Sequence, residues 1–314
     1  MAALRPSARR GLRAIAESGN ESISLRNHLH GTIVAAFGRS YLVETDGGET
    51  LTCFPRGKRS EIACGDRVQV ATTAAGQGVV EAIDPRSTLF YRSDAYREKL
   101  IAANVTQIVI VLAAAPSYYE DLLNRCLVAA EHARIGALIV LNKFDLGTSA
   151  AALESLRLYE SLGYPVLPLA AKQDVAPLVP WLEGHTSVLV GQSGMGKSTI
   201  INRLLPEANA ATAEMSIALD SGRHTTTHAR LYRLGTTGRI IDAPGLQEFG
   251  LHHIAPEELD ATFVEFRPFI GCCRFANCRH ASEPGCAVDE AAKRGSISER
   301  RLASYRQILA GLKR

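Results

Sequence analysis

The sequence predicts an α/β protein in three parts: a small closed β-barrel, a mainly parallel sheet flanked by helices, and a C-terminal cysteine-rich knuckle with a helix. Three observations predict it. Five short strand-like runs with glycine turns crowd into residues 31–88, and from about residue 95 apolar strands alternate with helical patterns. Four of the seven cysteines fall between Cys272 and Cys286. The composition of the 314 residues, 46% hydrophobic and 21% charged with a net charge of +3, is that of a globular chain with a sizeable core. No apolar run approaches the roughly 20 residues that cross a bilayer. The N-terminus carries Arg5, Arg9, Arg10 and Arg13 without the apolar centre of a secretion signal, so a cytoplasmic protein away from membranes is expected. In a reducing compartment, crowded cysteines favour a metal over disulfides.

Taken in order, residues 1–30 read as a basic, flexible tail, of the arginine-rich kind that orders on RNA. In residues 31–88, "GTIVAAFGRSYLVETDGGETLTCF" gives three strands broken near Gly38 and at Asp46-Gly47-Gly48; "GDRVQVA" and "GVVEAID" give two more. So many short strands in so little chain suggest an OB-type barrel. Phe54, Arg56, Lys58 and Arg59 form either an aromatic-basic RNA surface or a solvated loop.

Residues 95–262 supply the parallel sheet. "TQIVIVLAAA" is a buried strand, followed by a helix from about Tyr119 to Arg134 with Leu122, Cys126, Ala129 and Ala133 on one face. Then come "ALIVL", a helix near 149–162, "PVLPL" and "SVLV".

"SVLV" runs into Gly191-Gln192-Ser193-Gly194-Met195-Gly196-Lys197-Ser198, the spacing G-x-x-x-x-G-K-[ST] of a phosphate-binding loop. The glycines let successive backbone N–H groups turn inward as an anion nest, and the helix that begins with Lys197, Ser198 and Thr199 adds its positive end. Lys197 can reach the β- and γ-phosphates and the Ser198 hydroxyl can ligate Mg²⁺. Asp242-Ala243-Pro244-Gly245 ends the strand "RII", itself the second arm of a hairpin with "HARLYRL". There Asp242 can hold a Mg²⁺-bound water, and Gly245 can offer its N–H to the γ-phosphate.

Asn142-Lys143-Phe144-Asp145 closes "ALIVL". Asp145 can accept from guanine N1–H and the exocyclic amine, with the Asn142 side chain reading the base edge; adenine would leave the carboxylate unmatched. Ala170-Ala171-Lys172 offers a backbone N–H to the guanine oxygen. Together these residues describe a GTP site in an unusual order: N-K-F-D and A-A-K come before the phosphate loop, as if a GTPase sheet had been cut before its fourth strand and its old ends joined. Chain ends lie close enough for such a permutation to preserve the site. The sequence thus predicts a circularly permuted P-loop GTPase domain, which the chain leaves just after D-A-P-G, the segment expected to move with the γ-phosphate.

Leu246 stands where many GTPases carry a water-orienting glutamine, and Gln247 is one residue late. "SGRHTTTHARL" lies where switch I belongs. Thr227 is taken as the Mg²⁺ and γ-phosphate threonine, with Thr226 the alternate. His224 is the choice for positioning the attacking water, with His228 competing.

In residues 263–314, Cys273, Cys278, His280 and Cys286 fall as C-x4-C-x-H-x5-C, a set suited to one closed structural Zn²⁺ site, with Cys272 the spare. The final "SISERRLASYRQILAGLKR" reads as a helix with Leu302, Tyr305, Ile308 and Leu309 on its apolar stripe. Arg300, Arg301, Arg306, Lys313 and Arg314 cover the rest, either a plain surface or an RNA contact.

Barrel, permuted GTPase and knuckle together resemble the RsgA (YjeQ) family of ribosome-dependent bacterial GTPases, over roughly residues 31–314. The resemblance implies late maturation of the small ribosomal subunit, contact with its rRNA, and hydrolysis of GTP to GDP and phosphate stimulated by that subunit. It also implies a catalytic role for His224. A monomer is expected. The competing reading is a GTP-dependent RNA-binding switch acting on another RNA or a protein partner; an ATP-dependent kinase is disfavoured by N-K-F-D.

Overall fold

The computed structural model describes residues 28–37, 39–57, 61–94, 97–206, 229–242, 251 and 253–312. Its first strands, β1 (His28–Ala36), β2 (Tyr41–Thr45), β3 (Thr50–Pro55), β4 (Arg67–Ala74) and β5 (Gln77–Ile83), close into a barrel. Neighbours run in the order β1-β2-β3-β5-β4 and β4 pairs back onto β1. All contacts are antiparallel except β3 with β5. Strict alternation along β2 puts Tyr41, Val43 and Thr45 inward, where Val43 meets Ile33, Leu51, Val68, Val70 and Val80 in the barrel core. The expected barrel and its five strands are there. Of the proposed aromatic-basic surface, Phe54 is exposed and Arg56 pairs with Glu81 at 3.3 Å; Lys58 and Arg59 lie outside the described residues.

An antiparallel hairpin, β6 (Leu89–Asp94) with β7 (Arg97–Ala103), then leads into the second sheet. The sequence predicts no strands here. The run is charged and has no glycine at its turn, so neither alternation nor turn chemistry marks it.

The second sheet has the order β10 (Val166–Pro168), β9 (Gly136–Asn142), β8 (Gln107–Ala113), β11 (Thr186–Val190), β13 (Gly238–Asp242), β12 (Arg230–Leu234). Every pairing is parallel up to β13, and β12 joins it as an antiparallel hairpin. Every residue of β8 is buried, because helices cover both faces of a parallel sheet. On one face lie α1 (Glu120–Ala133) and α2 (Ser149–Ser161); on the other, α3 (Val179–Leu182) and α4 (Lys197–Leu204). β1 of the barrel pairs with β12 at Ala35 and Arg230, and Arg233 reaches Glu44 of β2, so barrel and parallel sheet are continuous.

Helix α1 buries Leu122, Cys126 and Ala129 as its spacing predicts, but also Leu123, Asn124, Leu127, Val128 and Ala130. The reason is a second layer: the turn Asp260–Thr262 and the last helix pack behind it, where α5 (Ala287–Lys293) lies against α6 (Glu299–Leu312). The stripe Leu302, Tyr305, Ile308 and Leu309 is buried, with the Tyr305 ring edge-to-face with Phe263 and tilted against Phe266 at ring separations of 5.2 and 4.9 Å.

The arginines of α6 correct the picture of a basic exterior. Arg301 is only 1% exposed; its Nε donates to Glu265 at 2.6 Å, and its guanidinium lies 4.4 Å from the Phe263 ring centre. Arg300 pairs with Glu120 at 2.7 Å, and Arg306 bonds Asp289 and the His280 carbonyl. These charges join the helix to the rest of the chain; Arg301 is withdrawn from the surface, while Arg300 and Arg306 keep part of their side chains exposed. Lys313 and Arg314 lie outside the described residues. Among the described residues no helix is long and apolar enough to cross a membrane.

Candidate nucleotide site and cysteine cluster

The loops that follow β9, β10, β11 and β13 all leave the carboxyl ends of parallel strands, the edge where open α/β sheets bind ligands. Between β11 and α4, the phosphate loop is shaped by glycine. At Gly191 a Cβ would sit 2.3 Å from the Val111 carbonyl oxygen, and Gly196 has φ +95°, a left-handed conformation that side chains resist. Met195 is buried in the core beneath the loop, which leaves only its backbone for a phosphate. Ser193, Gly194 and Ser198 are exposed; Gln192 and Thr199 are half-buried. Lys197 curls over the loop and donates to the carbonyls of Gly191 (2.6 Å) and Gln192 (2.7 Å).

Burial lowers the pKa of Lys197, against the pull of the Asp242 carboxylate. Asp242, the last residue of β13, is raised by burial in turn and partly restored by Lys197. Each is the other's counter-charge in a partly dehydrated corner, which a magnesium-bound polyphosphate would satisfy.

On the base side, Asn142 ends β9 with its side chain 2% exposed. Its Nδ2 donates to the Met195 carbonyl at 2.9 Å and its Oδ1 accepts the Ala171 N–H at 3.1 Å. N-K-F-D, A-A-K and the phosphate loop, distant in sequence, therefore meet at one amide. Asn142 is a brace among three loops before it reads any base edge, a role the motif alone did not disclose. The Ala171 N–H is taken, and among the described residues no group bonds the Lys172 N–H, which can therefore be offered to a base. Lys143 has φ +58° and donates from Nζ to the Ala115 carbonyl at 2.8 Å. Asp145 is exposed, and no group among the described residues bonds its carboxylate.

Two contacts were not foreseen. Gln192 accepts the Tyr119 N–H at 2.6 Å, tying the phosphate loop to the start of α1. Arg203, in the last turn of α4, donates to the Lys172 and Gln173 carbonyls. No local pattern marks either, since both depend on loops brought together only by the sheet. His224, Thr226, Thr227, His228, Gly245, Leu246 and Gln247 lie outside the described residues.

Cys273, Cys278, His280 and Cys286 converge, with their ligand atoms all within 4.8 Å of one another. His280 Nδ1 stands 3.5, 3.7 and 3.3 Å from the three sulfurs, the separations expected of donors sharing a tetrahedral ion with Zn–S of about 2.3 Å and Zn–N of about 2.0 Å. The other ring nitrogen faces Asp260 at 3.5 Å, the kind of outer carboxylate that orients a ligating histidine. The backbone N–H groups of Ala287 and Asp289 point at the sulfurs of Cys273 and Cys286. Cys272 is exposed and outside the group. The donor set fits zinc.

The sequence profile of the family described as RsgA GTPase matches residues 83–252. A small ribosomal subunit biogenesis GTPase RsgA of Nitrosospira multiformis is 58% identical over 285 residues, 90% of this chain and 91% of that protein. The protein of the same name from Neisseria meningitidis is 53% identical, over 86% of this chain and 88% of its own length. Among solved structures, YjeQ from Thermotoga maritima superposes with a TM-score of 0.72 at 29% identity, covering 91% of this chain and 99% of that one. YloQ, described as a circularly permuted GTPase, does so at 0.69 and 27%, covering 92% and 97%. With a family profile over residues 83–252 and relatives more than half identical along most of their length, the chain belongs to the RsgA GTPase family.

Proposed function

We propose that this chain is a GTPase of small ribosomal subunit biogenesis, which hydrolyses GTP on the subunit in its late maturation and is stimulated by it. The observation that carries this reading is the Asn142 amide, which joins the base-side loops to the phosphate loop in one pocket. Relatives more than half identical supply the ribosomal context. In this reading the loop from Gly191 to Thr199 cradles the phosphates with Lys197. Lys143, Asp145, Ala171 and Lys172 frame the guanine, and Gly245 meets the γ-phosphate. Ser198 and Thr227, with Asp242 through water, would hold a magnesium ion that neutralises phosphate charge. His224 orients the attacking water. Zinc on Cys273, Cys278, His280 and Cys286 would staple the knuckle, which has little core of its own. The working parts are residues 31–88, 95–262 and 263–314 of a cytoplasmic monomer that contacts rRNA.

The test is the hydrolysis rate of the full chain with GTP or ATP, alone and with purified small subunits. GTP turnover that rises with subunits and exceeds ATP turnover is expected. Turnover indifferent to subunits would favour a different RNA or protein partner, and equal use of ATP would overturn the guanine pocket itself.

A further inference from the structure

We propose that Arg203 is the positioning residue that sets selectivity for the guanine O6, by fixing the A-A-K loop to the helix that binds the phosphates. The inference deepens the GTPase reading and rests on it. Arg203 stands in the last turn of α4, whose first residue is Lys197. At a helix C-terminus an arginine ordinarily serves its own helix's free carbonyls. Here the guanidinium reaches across: Nη2 donates to the Lys172 carbonyl, and Nη1 lies 3.5 Å from that of Gln173.

The consequence follows from the order of the peptide groups. Asn142 fixes the peptide that carries the Ala171 N–H. Arg203 fixes the peptides that carry the Lys172 and Gln173 carbonyls. Ala170 closes the turn by accepting from Gln173 and Asp174 at 2.8 and 3.0 Å. Between these anchors lies one peptide whose N–H, that of Lys172, is bonded by no group among the described residues and can meet an oxygen on the base. Held on both sides, that donor is oriented before the ligand arrives, which is what turns a hydrogen bond into discrimination. Asp145 reads a different edge, the N1–H and exocyclic amine, from the loop after β9. The two selectivities are therefore separable. One end of α4 meets phosphate and the other holds the base loop, so a rigid rod sets the distance between the two halves of the pocket.

The experiment compares binding of GDP, 6-thio-GDP (sulfur for O6, amine kept), inosine diphosphate (O6 kept, amine lost) and ADP to the full-length wild-type, Arg203→Ala and Arg203→Lys chains. Arg203 is exposed, so urea melts of the variants are expected to overlay that of wild type. Arg203→Ala is expected to weaken GDP by roughly three- to tenfold, the scale of one hydrogen bond. It should shrink the preference for GDP over 6-thio-GDP by a similar factor and leave the preference over inosine diphosphate unchanged. Arg203→Lys, still able to reach one carbonyl, should fall between, and subunit-stimulated kcat should hold while KM rises. If the 6-thio preference is unchanged, or both preferences fall together, Arg203 does not position the O6 donor. If the wild-type chain fails to prefer GDP over ADP, the fault lies with the guanine reading on which the inference rests.

Discussion

Gly196→Ala tests the brace at the centre of the pocket. A Cβ at Gly196 would lie 2.3 Å from Asn142 Nδ2, which itself donates to Met195 at 2.9 Å. Two costs arise. A non-glycine residue held near φ +95° costs about 1–3 kcal/mol. Pushing the buried amide off its partner costs about 1–3 kcal/mol more. Since binding needs the loop in this shape, the sum of about 2–6 kcal/mol appears as lost GDP affinity, roughly 25-fold at its lower end. In an Asn142→Ala background there is no amide to displace, and only the backbone cost remains. A double-mutant cycle read by titration with GDP should then show a coupling of about 1–3 kcal/mol, with Gly196→Ala milder in the double variant. Losses that add to within about 0.5 kcal/mol would refute the contact between these residues.

His224→Ala is expected to keep GTP affinity and lower single-turnover hydrolysis by roughly 10²–10⁴-fold; an unchanged rate removes His224 from the reaction. Elemental analysis should find one zinc per chain, retained by Cys272→Ser and lost by Cys278→Ser, and loss in the Cys272 variant would mean the ligand set is misassigned. Burial raises the pKa of Tyr159, Tyr164 and Tyr305 above the ordinary 10.0. The unfolded chain therefore releases those protons first, and stability present below pH of about 10 is lost as pH rises beyond it, by about 1.4 kcal/mol per pH unit for each tyrosine. Urea melts across that range should show a shallower decline for Tyr159→Phe, and an equal slope would mean that Tyr159 ionises freely in the folded protein.

What could be read in advance was what the backbone itself demands. Gly191 and Gly196 announce their loop because no other residue fits there, and the barrel strands announce themselves by alternation and by turns such as Asp46-Gly47-Gly48. Cysteine spacing carried the metal group for a similar reason, since few other uses put those residue types so close together. The rest depends on partners far away in sequence. Arg301 looks like one more solvated charge until Glu265, Asn124 and Phe263 enclose it. Asn142 looks like a base reader until Met195 and Ala171 occupy its amide. The β6–β7 hairpin is held by mutual pairing and by the link from Cys64 to Ala102, which leaves no periodic trace.

The seam between β1 and β12 ties the barrel to the strand pair that ends at Asp242. Arg230, the seam's anchor on β12, faces Ala35 of the barrel on one side and Asp242 of β13 on the other. A displacement of the barrel wall at Ala35 therefore passes through one residue to the carboxylate at the end of β13.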